Sequence, residues 1–217
     1  MHIKKINYRF NVVLLSLFIF VTNVFMTFAE DVDKVVDKQQ KLLKLHPDDM
    51  SLGSKDAKVT FIEYSSLSCP ACAIFHKEVF EQLKKEYIDH NLVLYIYRDY
   101  PINAPGLQGA LLAHCIPGKF FIMQKILFDA QNKWAFRGDY DHILKGIARL
   151  SGIDNAQFDK CINDKNQTDK IIEKAFVATK ILNIDATPTF FINGKKINGI
   201  KDFSQLKKII DNFLNSH

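Results

Sequence analysis

The hydrophobic pattern opens with a nearly unbroken apolar block. Val12 to Val21 is interrupted only by Ser16, and the apolar character continues past Asn23 and two threonines to Phe28. Residues 31–45 then place apolar side chains at 32, 35, 36, 42, 43 and 45 with charges between them. That spacing predicts an amphipathic helix ending near His46-Pro47. Residues 47–57 read as turns. Lys58 to Tyr64 is rich in β-branched and aromatic residues and predicts a strand. A serine loop, residues 65–68, leads to Cys69-Pro70-Ala71-Cys72, from which a helical pattern runs to about Asp89. Leu92 to Arg98 is a continuous apolar run of the kind found in buried strands, and Pro101 and Pro105 stop it.

Residues 105–182 contain no convincing strand. Helical patterns occupy about 106–115, 119–131, 139–151, 155–163 and 167–182. Thr189–Ile192 and Lys195–Asn198 are short runs joined by Asn193-Gly194, a strong hairpin signal. A last amphipathic helix covers residues 203–214. The order is strand, helix, strand, a block of helices, hairpin, helix. The first three elements make a βαβ unit with parallel strands and a right-handed crossover. The hairpin adds antiparallel strands to the same sheet, and the helical block is an insertion that leaves the sheet and returns to it. The fold class is α/β.

Charge separates the ends of the chain. Of its 29 basic residues, Lys4, Lys5 and Arg9 precede residue 30, where there is no Asp or Glu, leaving 26 basic against 24 acidic residues beyond it. So small an excess offers no electrostatic basis for binding nucleic acid. A basic start, an apolar core and the small residues of Thr27-Phe28-Ala29 form the order of a secretory signal, residues 1–29, cleaved after Ala29. An uncleaved anchor is the alternative, since 17 residues from Val12 to Phe28 reach the lower edge of a membrane span. Either way the remaining chain lies outside the cytoplasm, where cysteines can be oxidised. Four cysteines in 217 residues are too few for a disulfide scaffold, and a chain of this length can build its own core.

The candidate chemistry sits at Cys69 and Cys72. A cysteine at a helix N-terminus faces free backbone N–H groups and the positive end of the helix dipole, both of which favour a thiolate. Pro70 suits the first helical position, where no N–H is needed. Cys72, three residues on, comes within disulfide reach and is more buried. An exposed low-pKa thiol beside a resolving thiol is the arrangement of a dithiol exchanger. The alternatives are a structural clip or a zinc half-site; zinc would need two more ligands, and His76, one turn past Cys72, completes no recognisable set. His114, next to Cys115, is not placed for a Cys-His pair, because adjacent helical residues point about 100° apart. The aromatic stretch from Phe120-Phe121 to Trp134 reads as helical core, with an exposed apolar patch for gripping unfolded chains as the other reading.

The strand carrying Glu63, the run SLSCPACAIF, the inserted helices and the late ATPTFFINGK resemble the DsbA-type disulfide oxidoreductases, in the branch with threonine before its proline. The resemblance covers about residues 51–214. It implies a thioredoxin-like fold with an inserted all-helical domain: a helical extension over 30–50, a first thioredoxin-like part over 51–104, the insertion over 105–182 and the second part over 183–217. It implies that Cys69 is the nucleophile and Cys72 its resolving partner, that Pro188 is a cis-proline facing them, and that the backbone of Thr187 pairs with an extended substrate segment. An acid at the place of Glu63 lies under the active site and helps deprotonate the buried cysteine; the alternative is a strand-edge surface glutamate. A lysine often partners that acid from the next strand, and here the stretch offers only Arg98.

Pro70 and Ala71 are the tuning positions. The strongest oxidants of the family carry Pro-His, and Ala71 can donate neither a hydrogen bond nor a charge. With Cys69 and Cys72 assigned to each other, Cys115 and Cys161 remain for a second, structural disulfide, or stay as two buried free thiols. The implied activity is disulfide introduction into reduced, unfolded exported proteins by a periplasmic monomer, re-oxidised by a membrane quinone-linked partner and needing no metal, nucleotide or other cofactor. An isomerase or reductase of the same fold, and a non-catalytic binding module on this scaffold, are the competing readings.

Overall fold

A computed structural model describes residues 33–197 and 199–216. The expected signal segment lies outside the described residues, and among those that are described no helix is long and apolar enough to cross a membrane. Helix α1 covers residues 33–42 and belongs to a unit separate from the remainder, which begins at Leu43. An ion pair between Lys41 and Asp37, one turn apart, spans 2.7 Å on its surface.

From Leu43 onward the chain builds one mixed sheet and its helices. The strands are β1 (Met50–Leu52), β2 (Val59–Ser65), β3 (Val93–Asp99), β4 (Thr189–Ile192) and β5 (Lys195–Ile197), in the spatial order β1-β3-β2-β4-β5. β2 and β3 are parallel, with Phe61 opposite Tyr95 and Glu63 opposite Tyr97. β4 lies antiparallel to β2 and β5 antiparallel to β4. The hairpin turn forms because Asn193 and Gly194 both take positive φ, 46° and 79°, as a two-residue hairpin requires. The Asn193 side chain also accepts from the Thr60 N–H at 2.7 Å, fastening the turn to β2.

β1 is an addition to the expected elements. Residues 47–57 carry too many turn formers to read as strand, yet Met50–Leu52 pair antiparallel with β3. The edge is fixed by Arg98, whose Nε and Nη2 donate to the Asp49 carboxylate at 3.0 and 2.8 Å. Its Nη1 also donates to the Tyr64 hydroxyl at 2.7 Å. Arg98 is thus committed to Asp49, not to Glu63.

The helix after β2 is compound. α2 (Pro70–Phe75) and α3 (Glu81–Leu83) alternate with wider π-helical turns at His76–Phe80 and Lys84–Ile88. Between β3 and β4 come α4 (Ala104–Ala113), α5 (Phe120–Asp129), α6 (Gln131–Trp134), α7 (Tyr140–Leu150), α8 (Asn155–Ile162) and α9 (Lys165–Leu182). α10 (Phe203–Asn215) closes the order, with Asp202 capping its start through the Gln205 N–H. The core is continuous from Phe61, Tyr95 and Phe190 on the sheet to Phe75, Leu127, Trp134 and Phe158 on the helices. Trp134 and Phe120 are buried in it, whereas Ile122 and Phe136 are exposed.

Candidate active site

Four segments converge on Cys69. The Ser65–Ser68 loop carries the chain from the end of β2 into α2. Its turn is closed by the Cys69 N–H donating to Ser66 O at 3.0 Å. The Ser68 hydroxyl donates to Asn103 Oδ1 at 2.8 Å, and the same oxygen caps α4 by accepting from the Gly106 N–H at 2.8 Å. Gly106 is required there, because a Cβ would lie 2.6 Å from the Ser68 hydroxyl and 2.7 Å from that of Ser66. From α6, Gln131 Nε2 donates to the carbonyls of Leu67 and Cys69, at 2.8 and 3.0 Å.

Cys69 occupies the N-cap of α2 with extended backbone, and Pro70 begins the helix. Across from it the Thr187-Pro188 peptide is cis. The Cys69 thiol donates to the Thr187 carbonyl at 3.2 Å. This backbone packing leaves Cys69 6% exposed, less open than its position at a helix start suggests, and Cys72 is fully buried. Both thiols are free.

The two sulfurs are electrostatically unequal. The Cys69 thiol is lowered from 9.0 to about 6, first by a hydrogen bond from the Cys72 thiol, then by the Thr187 side chain and by the backbone N–H groups of Cys72 and Ala71. Burial opposes this lowering. Cys72 is pushed well above the ordinary thiol range, first by burial, then by Cys69 and by the charge of Glu63. Ala71 is exposed and adds nothing from its side chain.

Glu63 projects from β2 into a closed polar cluster and is 0% exposed. Tyr95 OH donates to its Oε2 at 2.6 Å, and His76 Nε2 lies 3.2 Å from both carboxylate oxygens. The sequence flags Glu63 but not these partners. Its strand position points to burial, whereas His76 is four residues past Cys72 and on the same helix face, a spacing that could have flagged it. His114 sits elsewhere: its Nε2 is 2.7 Å from Asp99 at the end of β3. Cys115 and Cys161 form a disulfide with Cα atoms 5.4 Å apart, joining the end of α4 to α8. Among the described residues no group of three or more His, Cys, Asp or Glu is arranged to hold a metal ion.

The chain is similar to known proteins in sequence and fold. The family model described as thioredoxin matches residues 45–212. A Rickettsia bellii protein named as a protein-disulfide oxidoreductase is 34% identical over 153 residues, 70% of this chain and 59% of that protein. The chain thus spans about three-fifths of the length of that relative. Disulfide bond formation protein D of Bacillus subtilis is 27% identical over 169 residues, 74% of each chain. The crystal structure of Wolbachia pipientis alpha-DsbA1 superposes with a TM-score of 0.76 at 35% identity, covering 81% of this chain and 95% of that one.

Proposed function

The chain belongs to the DsbA-type family of thioredoxin-fold proteins, and from that premise we propose that it is a thiol-disulfide oxidase of exported proteins. The observation that carries this reading is the opposed pair of thiols, Cys69 lowered to about 6 and Cys72 raised. Such a pair gives one good leaving group and one sulfur that stays protonated until it resolves a mixed disulfide.

In the forward direction the Cys69–Cys72 disulfide is attacked at Cys69 by a substrate thiolate. A bond forms between the substrate sulfur and Cys69, and Cys72 leaves and takes a proton. The second substrate thiol then attacks the first substrate sulfur, the substrate disulfide forms, and Cys69 departs as a stabilised thiolate. Glu63 serves as the proton donor and acceptor for Cys72. The Thr187 backbone holds the substrate segment in extended form, and Pro188 keeps the approach to the sulfurs narrow. Cys115–Cys161 is structural. The domain plan remains a helical extension, two thioredoxin-like parts and the helical insertion between them. The signal over residues 1–29 delivers a monomer to the periplasm, and a membrane quinone-linked oxidase restores the disulfide.

Ala71 favours a second reading. Without a donor there, the pair is a weaker oxidant, closer to an isomerase or reductase. Oxidation of a reduced denatured protein, unscrambling of a mis-paired one and insulin reduction, each with a Cys69→Ser control, separate the readings. Oxidation of the reduced substrate should be the fastest of the three. Unscrambling without net oxidation would overturn the oxidase assignment.

A further inference from the structure

The proposed chemistry moves a proton to and from Cys72, a sulfur with no exposed surface, and Glu63 beside it has none either. A proton held by Glu63 therefore needs a way to water. The candidates are the groups that touch the carboxylate. Tyr95 donates to it at 2.6 Å, but this phenol is fully buried and pushed well above its ordinary range by that burial and by the Glu63 charge. Tyr97, on the same strand, is raised by burial, then by the charges of Asp99 and Glu63. Both phenols are buried, 0% and 1% exposed, so neither borders water. Arg98 is committed to Asp49.

His76 is different. Its Nε2 lies 3.2 Å from each Glu63 oxygen. Its ring stacks on Phe128 of α5 at 4.3 Å and 19°, with Phe80 at 4.7 Å and Phe75 edge-on at 5.5 Å. This aromatic cage holds the ring plane so that Nε2 faces the carboxylate. His76 is 8% exposed, so it borders the surface that Glu63 cannot reach. The titratable groups around it are Glu63 on β2, Tyr95 and Tyr97 on β3 and Cys72 one turn earlier on its own helix; α5, packed against it through Phe128, also carries Lys125. Lys125 is engaged at the surface by Glu81 and Asp129. Imidazole is the side chain that ordinarily exchanges protons in the neutral range.

We propose that His76 relays protons between Glu63 and solvent, so that Cys72 can lose or regain its proton during dithiol exchange. His76 touches neither substrate nor the reacting sulfurs; it acts through Glu63, as a positioning and relay residue. The inference rests on the exchange chemistry proposed above. In the resolving direction the Cys72 proton goes to the Glu63 carboxylate and on through His76 to water. The Cys72 thiolate then attacks Cys69, the Cys69–Cys72 bond forms, and the mixed-disulfide partner leaves as a thiolate. The partner is reduced and the cysteine pair oxidised, with no other reagent involved.

The test is a single turnover of the reduced full chain with limiting 2-nitro-5-thiobenzoate disulfide. Attack by Cys69 releases the first coloured thiolate, and resolution by Cys72 releases the second. Two variants keep different parts of the site: His76→Gln retains an amide donor for Glu63, and His76→Phe retains the stacked ring. The first phase should match the wild type in both. The second should slow roughly tenfold or more in both, below the ~10²–10⁴ of a group that meets the reacting atoms because His76 acts through Glu63, and its pH profile should differ from that of the wild type. A second phase with unchanged rate and pH profile in a folded variant overturns the relay. If the wild type itself shows no second phase, the dithiol-exchange reading fails instead. Should neither variant fold, the His76 ring can be followed by nitrogen NMR in the wild type. Its ring signals should differ between the oxidised and reduced protein; a ring indifferent to the redox state of the cysteine pair overturns the proposal.

Discussion

At the residue scale the site depends on how differently two cysteines three positions apart are treated. The Cys69 thiolate is favoured by the Cys72 thiol, by the Thr187 side chain and by the first amides of its helix, while Cys72 is buried near the Glu63 charge. Alkylation of the reduced protein should therefore occur at Cys69 with a midpoint near pH 6, and peptide mapping should find Cys72 unlabelled; preferential labelling of Cys72 would reverse the roles. The same shift links pH to the stability of the reduced protein. A thiol whose pKa is depressed by folding binds fewer protons in the native than in the unfolded state, so its contribution is full above the unfolded value and disappears as pH falls through the native one. Reduced wild type should thus gain stability over Cys69→Ser between pH 6 and 9, followed by chemical denaturation at each pH. Ala71 marks what this site lacks. A histidine there would add a donor and a charge beside the thiolate, stabilise the reduced form and raise the reduction potential. Tens of millivolts are expected, where about 30 mV corresponds to ~1.4 kcal/mol. An unchanged potential in Ala71→His, measured against glutathione, would show that the position does not tune this site.

At the scale of elements, the loop before α2 is held by the helical block, and Gln131 is the clearest link. It joins α6 to the Leu67 and Cys69 carbonyls in a buried setting. Gln131→Leu leaves the Leu67 carbonyl without that donor, at a cost of about 1–3 kcal/mol, and frees the peptide that aims the helix amides at Cys69. The variant should melt lower and its Cys69 midpoint should rise; a lower melting point with the midpoint unmoved would make Gln131 a fold residue only. No local pattern could have singled it out, because its partners lie 62 and 64 residues away. β2, β3 and the hairpin were readable in the sequence, since dense apolar runs and Asn193-Gly194 are local signals. The cysteine pair and Thr187-Pro188 were readable as motifs. β1 was not, because three residues among turn formers become a strand only when β3 offers its edge and Arg98 finds Asp49. Nor were the π-helical turns, which leave an amphipathic pattern nearly unchanged.

At the scale of the whole molecule, the insertion is tied to the sheet at both ends of α4. Asn103 at its start bonds Ser68 in the active-site loop, and His114 just past its end bonds Asp99 of β3. The Cys115–Cys161 disulfide then joins that end to α8 across 46 residues. In the chain-entropy account a bridge of this span stabilises the fold by roughly 4 kcal/mol, through a more restricted unfolded chain. A Cys115→Ala, Cys161→Ala double variant should therefore melt clearly lower. Its effect on the active pair has one visible route. Loosening Cys115 loosens His114, and with it the Asp99 charge, which bears on Tyr97; Tyr97 in turn feels Cys72. That route is indirect, whereas residue 71 lies between the two active-site cysteines. The potential of Cys69–Cys72 should accordingly move less in the double variant than in Ala71→His. Measuring both variants in one glutathione titration decides between a staple and a regulator. A shift equal to or larger than that of Ala71→His would mean that the second disulfide sets the chemistry of the first.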